Sequence, residues 1–147
     1  MSTIESLLNL KRWNEEEAKQ RFALQLKELA VEEKLLCDLE ERYGDADKRF
    51  ESVSDELIDV DEIKRLNEYL GHMLVRIRFQ KEVVSLKEMR VEEARKMLQE
   101  ASKEKKTFER LDEKQRNQLR EDARRKEQIE TDEHAGVRHA RKKGEGQ

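Results

Sequence analysis

The chain has 147 residues, of which 46% are charged and 5% aromatic, with 5 glycines and no proline. That profile excludes an ordinary globular domain and matches long helices, in which no residue here is obliged to break the helix. Net charge is −3, from 32 basic and 35 acidic residues with the signs interspersed, so no broad basic face is offered to nucleic acid.

The first predicted helix spans about residues 4–57. Phe22, Leu29, Leu36, Tyr43, Phe50 and Leu57 recur every seven residues. A companion row runs Ala18, Gln25, Glu32, Leu39, Ala46 and Val53, and Ile4 and Leu8 extend the pattern toward the N-terminus. A seven-residue repeat holds one seam on one side of an α-helix over many turns, so two such seams can bury each other. Gln25 and Glu32 weaken the seam locally. Gly44 costs about 1 kcal/mol relative to alanine and does not end the helix. Cys37 is the only cysteine, which rules out an internal disulfide or a thiolate zinc cluster; it reads as inert filler after Leu36. Met1 to Leu10 lacks the basic and long apolar regions of a secretory signal. With no stretch near the roughly 20 apolar residues a bilayer span needs, a cytoplasmic protein is expected, reaching a membrane only through partners and with no direct insertion.

A turn is predicted at about residues 58–61, where Asp59 and Glu62 match a capping box that opens a new helix. Asp59, Asp61 and Glu62 also set negative charge against the positive end of that helix. So short a connection makes the two helices run antiparallel.

The second predicted helix spans about residues 61–135. Its rows are Ile63, Leu70, Ile77, Val84, Val91 and Leu98, and Leu66, Met73, Gln80, Lys87, Ala94, Ala101 and Phe108. The pattern then thins through Leu111, Leu119, Ala123 and Ile129, and Gly136 is a natural stop before a basic tail, about 136–147, with Arg138, Arg141, Lys142 and Lys143. The expected fold is all-α: one antiparallel coiled-coil hairpin of two long helices, the second longer and overhanging. Folding about residue 60 sets Leu57 near Ile63, Leu36 near Val84 and Phe22 near Leu98. In that register Glu40 meets Lys81, Glu28 meets Arg90 and Arg49 meets the Tyr69 ring. Arg42 opposite Arg76 and Glu33 opposite Glu88 run against it.

Some apolar residues stand off the seam. Phe79, Val83 and Leu86 form one row, and Leu24, Val31 and Leu35 form another on the same flank, either a docking surface or a widening of the seam. Trp13 faces away from the seam and is a candidate partner anchor. No phosphate-cradling or nucleophile-elbow motif occurs, and His134 and His139 are spaced wrongly to ligate one metal from one helix face. No catalytic residue, metal or cofactor is expected.

Three stretches carry a family resemblance: Tyr69-Leu70-Gly71-His72-Met73 continuing to Gln80; Val91 to Leu98 continuing to the run Phe108 to Lys114; and Arg120 to Ala135, with Arg124-Arg125-Lys126-Glu127-Gln128 and Asp132-Glu133-His134-Ala135. In these the chain resembles the FliJ family of flagellar type III export proteins. The resemblance implies a non-enzymatic stalk, similar to the two-helix coiled coil of a rotary ATPase γ subunit. Such a stalk inserts into the export ATPase hexamer, binds the cytoplasmic domain of the export gate, escorts export chaperones and serves flagellar assembly and motility. By position it implies that the open end, with Phe108, Leu111, Arg116, Leu119 and Arg120, faces the ATPase. The tip half, with Tyr43, Tyr69, Met73, Arg76 and Gln80, would face the gate. The same architecture would serve an injectisome stalk, and a generic coiled-coil adaptor or dimerisation module remains the alternative from another class.

Overall fold

The computed structural model describes residues 2–55 and 59–146. Two helices, α1 (Thr3–Asp55) and α2 (Val60–Glu145), pack against each other, and α2 is 86 residues long against 53 for α1. The fold is the expected all-α hairpin. Leu57 and the expected start of the turn at 58 lie outside the described residues. At the start of α2 the Asp59 carboxylate accepts from the Asp61 amide at 3.2 Å, satisfying a donor that no helical carbonyl can reach. Glu62, expected to reach back toward Asp59, has its carboxylate 3.7 Å from Arg49 instead.

The chain divides into two compact units, Asn14–Ala101 on the one hand and Met1–Trp13 with Ser102–Gln147 on the other. In the unit Asn14–Ala101, all seam positions from Ala18 to Val53 and from Ile63 to Ala101 are buried or half-buried. Leu39, Met73 and Ile77 form its core cluster, with Leu36 and Tyr43 packed against them. Leu36 thus packs against a cluster whose α2 members are Met73 and Ile77, and the expected partner Val84 lies at least seven residues, about two helical turns, farther along α2. The cause is geometric. Reversing one chain inverts the three-four spacing of its rows, so each layer joins the first row of one helix to the companion row of the other.

The seam is not uniform. Tyr43, Leu39, Met73 and Ile77 make an apolar section. Farther from the turn, Gln80 donates to the Glu32 side chain at 2.6 Å and to its carbonyl at 3.0 Å. Lys87, another seam position, pairs with Glu28 at 2.9 Å, where Arg90 was expected. Gln25 keeps a buried oxygen without a hydrogen-bond partner among the described residues.

Gly44 and Gly71 lie inside α1 and α2, with negative φ and open space where a Cβ would be. Neither needs to be glycine for fit. Gly44→Ala and Gly71→Ala are each expected to stabilise by about 0.5–1 kcal/mol, read as a rise in melting temperature. A fall at either position would show that its backbone is not held helical in solution.

In the unit Met1–Trp13 with Ser102–Gln147, a reciprocal capping box opens α1. The Glu5 amide donates to Ser2 Oγ at 3.1 Å, and the Ser2 amide donates to Glu5 Oε2 at 3.2 Å. Leu8 is buried and Ile4 half-buried, while the buried or half-buried positions of α2 include Lys105, Phe108, Asp112 and Gln115 on the two rows. The rows thus continue at seven-residue steps to Asp112 and Gln115; Leu111 stands one position off them at 44% exposure, and Leu119, on the row of Asp112, is 63% exposed. Charge replaces hydrocarbon in this seam. Lys11 pairs with Glu104 at 2.8 Å and lies 5.6 Å from the Phe108 ring centre, and Arg116 pairs with Glu5 at 3.5 Å and Asp112 at 3.2 Å.

So few apolar contacts hold residues 3–13 that their amides are expected to exchange faster than those of residues 36–46, by about tenfold or more. Raising salt from about 0.05 to 0.5 M should widen the gap, because it screens exposed pairs and leaves apolar burial intact. Equal protection at both salt levels would contradict this.

Past Gln115 every described residue of α2 is exposed, and the helix runs through the expected stop at Gly136 to Glu145. Gly136 could end a helix only by turning to positive φ, which it does not do. Lys142 and Lys143 in the last turn complement the helix dipole. Among the described residues no helix is long and apolar enough to cross a membrane.

Candidate functional site

The grooves among the described residues, such as the one lined by Arg110, Lys114, Glu121 and Arg125, are open to solvent. Three surfaces follow from the sequence.

The first is the distal part of α2. Phe108 is half-buried beneath Lys11, while Leu111, Leu119 and Arg120 are exposed. Arg116 is exposed but engaged by Glu5 and Asp112. Leu111 and Leu119 therefore offer apolar surface, and Arg120, with no ion pair among the described residues, offers a charge. Ile129 and Val137, 58% and 53% exposed, extend the apolar surface farther along the same helix.

The second is the group Tyr43, Tyr69, Met73, Arg76 and Gln80, which the structure divides. Tyr69 and Arg76 are exposed and Tyr43 is half-buried against the core. Met73 is 1% exposed and Gln80 5%. Met73 wedges between Leu39 and Ile77, and Gln80 spends its amide on Glu32. Both stand on the companion seam row, so neither can touch a partner unless the helices part. Their assignment to a binding face is corrected here.

The third is the flank. Leu24, Val31, Leu35, Phe79 and Leu86 are all exposed, Val31 and Phe79 by more than 60%, and Val83 is half-buried. The five exposed side chains add little to the seam, and Val83 alone of the six is partly covered. Trp13 is 62% exposed, and Cys37, expected as filler, is exposed as well.

Ionisation adds little. Hydrogen bonding to the Arg95 guanidinium holds the exposed Glu92 carboxyl below its usual range, and the same contact raises Arg95. The pair sits one turn apart on α2 and is an ordinary surface contact of a helix.

The signals that sequence reasoning passed over are the reciprocal Ser2 and Glu5 cap and the polar seam partners Glu32 and Gln80. The first was visible as Ser-x-x-Glu at the start of an apolar repeat. The second was visible as two polar residues on facing rows.

A family model described as Flagellar FliJ protein matches residues 1–144. No curated protein and no solved structure matches the chain.

Proposed function

The chain belongs to the flagellar FliJ family, a family of flagellar export-related stalk proteins, and on that premise we propose that it acts as a stalk joining the export ATPase ring to the export gate. The observation that carries the reading is the distal α2 helix, which continues past the cover of α1 with Leu119 and Arg120 exposed. A bare helix of this kind has the form needed to enter a ring of subunits. In this reading Leu111, Leu119 and Arg120 contact the ATPase hexamer, with Phe108 and Arg116 holding the neighbouring turn against α1. Tyr69 and Arg76, with the edge of Tyr43, contact the cytoplasmic domain of the gate. Escort of export chaperones and a peripheral place at the inner membrane through these partners complete the proposal. The protein's role is mechanical and recognitional, without catalysis or a cofactor.

The test is titration of the purified full chain into the flagellar export ATPase of the same genome, with ATP hydrolysis and ring assembly as readouts. Stimulation is expected. Leu119→Asp and Arg120→Glu should weaken it by about tenfold or more, as for anchors at an interface, with the far-ultraviolet circular dichroism unchanged because both side chains are exposed. No stimulation by the unmodified chain would remove the ATPase contact from the reading.

A further inference from the structure

The flank of the unit Asn14–Ala101 carries more pattern than an exposed apolar patch. Arg49 and Glu62 hold the same heptad position on their two helices and pair at 3.7 Å, whereas Glu40 and Lys81 share another position and pair at 4.0 Å. Same-letter positions thus face each other along two opposite valleys between the helices. Leu35 and Val83 belong to the Arg49 and Glu62 valley, with Val31, Phe79 and Leu86 on its banks, all exposed except the half-buried Val83.

Arginine brackets this apolar centre at both ends. Arg42 and Arg76 occupy the valley on the side toward the turn, and Arg21 and Arg90 occupy it on the other side. Arg42, Arg76 and Arg90 are exposed and have no ion pair among the described residues, and Arg21 reaches only Glu17 of its own helix at 3.4 Å. Glu28, the acid in the valley between them, is taken by Lys87, and Asp38, exposed on the bank, lies one turn from Arg42. From Arg21 to Arg42 the valley runs about 30 Å.

Charge decides among occupants. A second copy docked here by a two-fold axis, parallel or antiparallel, would lay arginine pair on arginine pair, and like charges brought together at an interface are strongly disfavoured. We infer that this valley takes a single amphipathic helix from a partner protein, one with an apolar ridge at i, i+3 or i+4, and i+7 and carboxylates near both ends. Its ridge packs on Leu35, Phe79 and Val83 as a third helix. Its carboxylates meet the two arginine pairs, where bidentate guanidinium contacts fix its register. The inference does not rest on the stalk reading, and only Arg76 is common to both.

The probe is a labelled synthetic helix of about 20 residues with a leucine ridge and glutamates at both ends, compared with the same ridge ended by lysines, each titrated against the full chain. The glutamate peptide should bind about tenfold or more tightly than the lysine peptide, and the difference should shrink as salt rises. Phe79→Asp should abolish binding, and Arg42→Glu with Arg90→Glu should reverse the preference. Helicity should be unchanged in both variants, because these side chains are exposed. Equal binding of the two peptides, binding of neither, or a dimer in sedimentation that Phe79→Asp dissociates would each overturn the inference.

Discussion

Met73→Ala is expected to destabilise the unit Asn14–Ala101 by about 2–5 kcal/mol and lower its melting temperature by on the order of 10 °C. Among the described residues Met73 is the most completely buried large side chain, at 1% exposure, and it closes the cluster of Leu39 and Ile77. Truncation removes the transfer gain of its thioether and leaves a void that two straight helices cannot collapse to fill. Leu24→Ala is the control. Leu24 is 54% exposed, so its loss should change stability by less than about 0.5 kcal/mol. Thermal or urea unfolding decides the matter, and comparable costs for the two substitutions would mean that the seam is not where the structure puts it.

Gln80→Leu comes second in expected effect. Alone it leaves the Glu32 carboxylate in the seam without its donor, at a cost of about 1–3 kcal/mol. Glu32→Leu combined with Gln80→Leu should recover that loss or exceed it, since replacing both partners of a buried polar contact with hydrocarbon is often neutral or stabilising. The combined variant should lose something else. A polar pair at one seam level makes other alignments of the two helices unfavourable, and an all-apolar seam removes that penalty. Alternative registers or oligomers should then appear in sedimentation. A combined variant that is as unstable as Gln80→Leu, and still a single species, would assign Gln80 a packing role only.

These two positions also show where sequence reasoning succeeds and where it stops. Seven-residue spacing identified Met73 and Gln80 as seam residues, and that periodicity was enough for the hairpin, the row memberships and the unequal helices. Proximity to Tyr69 along the chain then drew both into a binding group, although a seam residue cannot serve two faces. Register was lost for a different reason. Hydrophobic spacing reports which side of a helix is buried but not which turn of the partner it meets; that depends on the layer geometry and on pairs such as Glu32 with Gln80. Near the open end, Lys105 and Asp112 keep the repeat while abandoning hydrophobicity. Apolar spacing alone therefore favoured Leu111, which stands one position off the row, and Leu119, which stands on the row but is exposed beyond the last half-buried position at Gln115. The flank was legible in part. Its apolar rows stood out in the sequence, whereas the arginine bracket depends on knowing which heptad positions face each other.

Gly136 carries a related lesson. Glycine past an apolar repeat is a common helix stop, yet it acts by adopting positive φ, and the flanking Ala135, Val137, Arg138 and Ala140 leave nothing to pull it there. The helix persists to Glu145.

Site-directed photocrosslinking in cells tests the stalk reading most directly, with benzoyl-phenylalanine placed at Leu119 in one strain and at Tyr69 in another. Both residues are exposed, so the probe should leave the fold intact. The reading predicts adducts with the export ATPase from position 119 and with the cytoplasmic domain of the export gate from position 69. Adducts exchanged between the two positions, or no ATPase adduct from 119 in a motile strain, would contradict it.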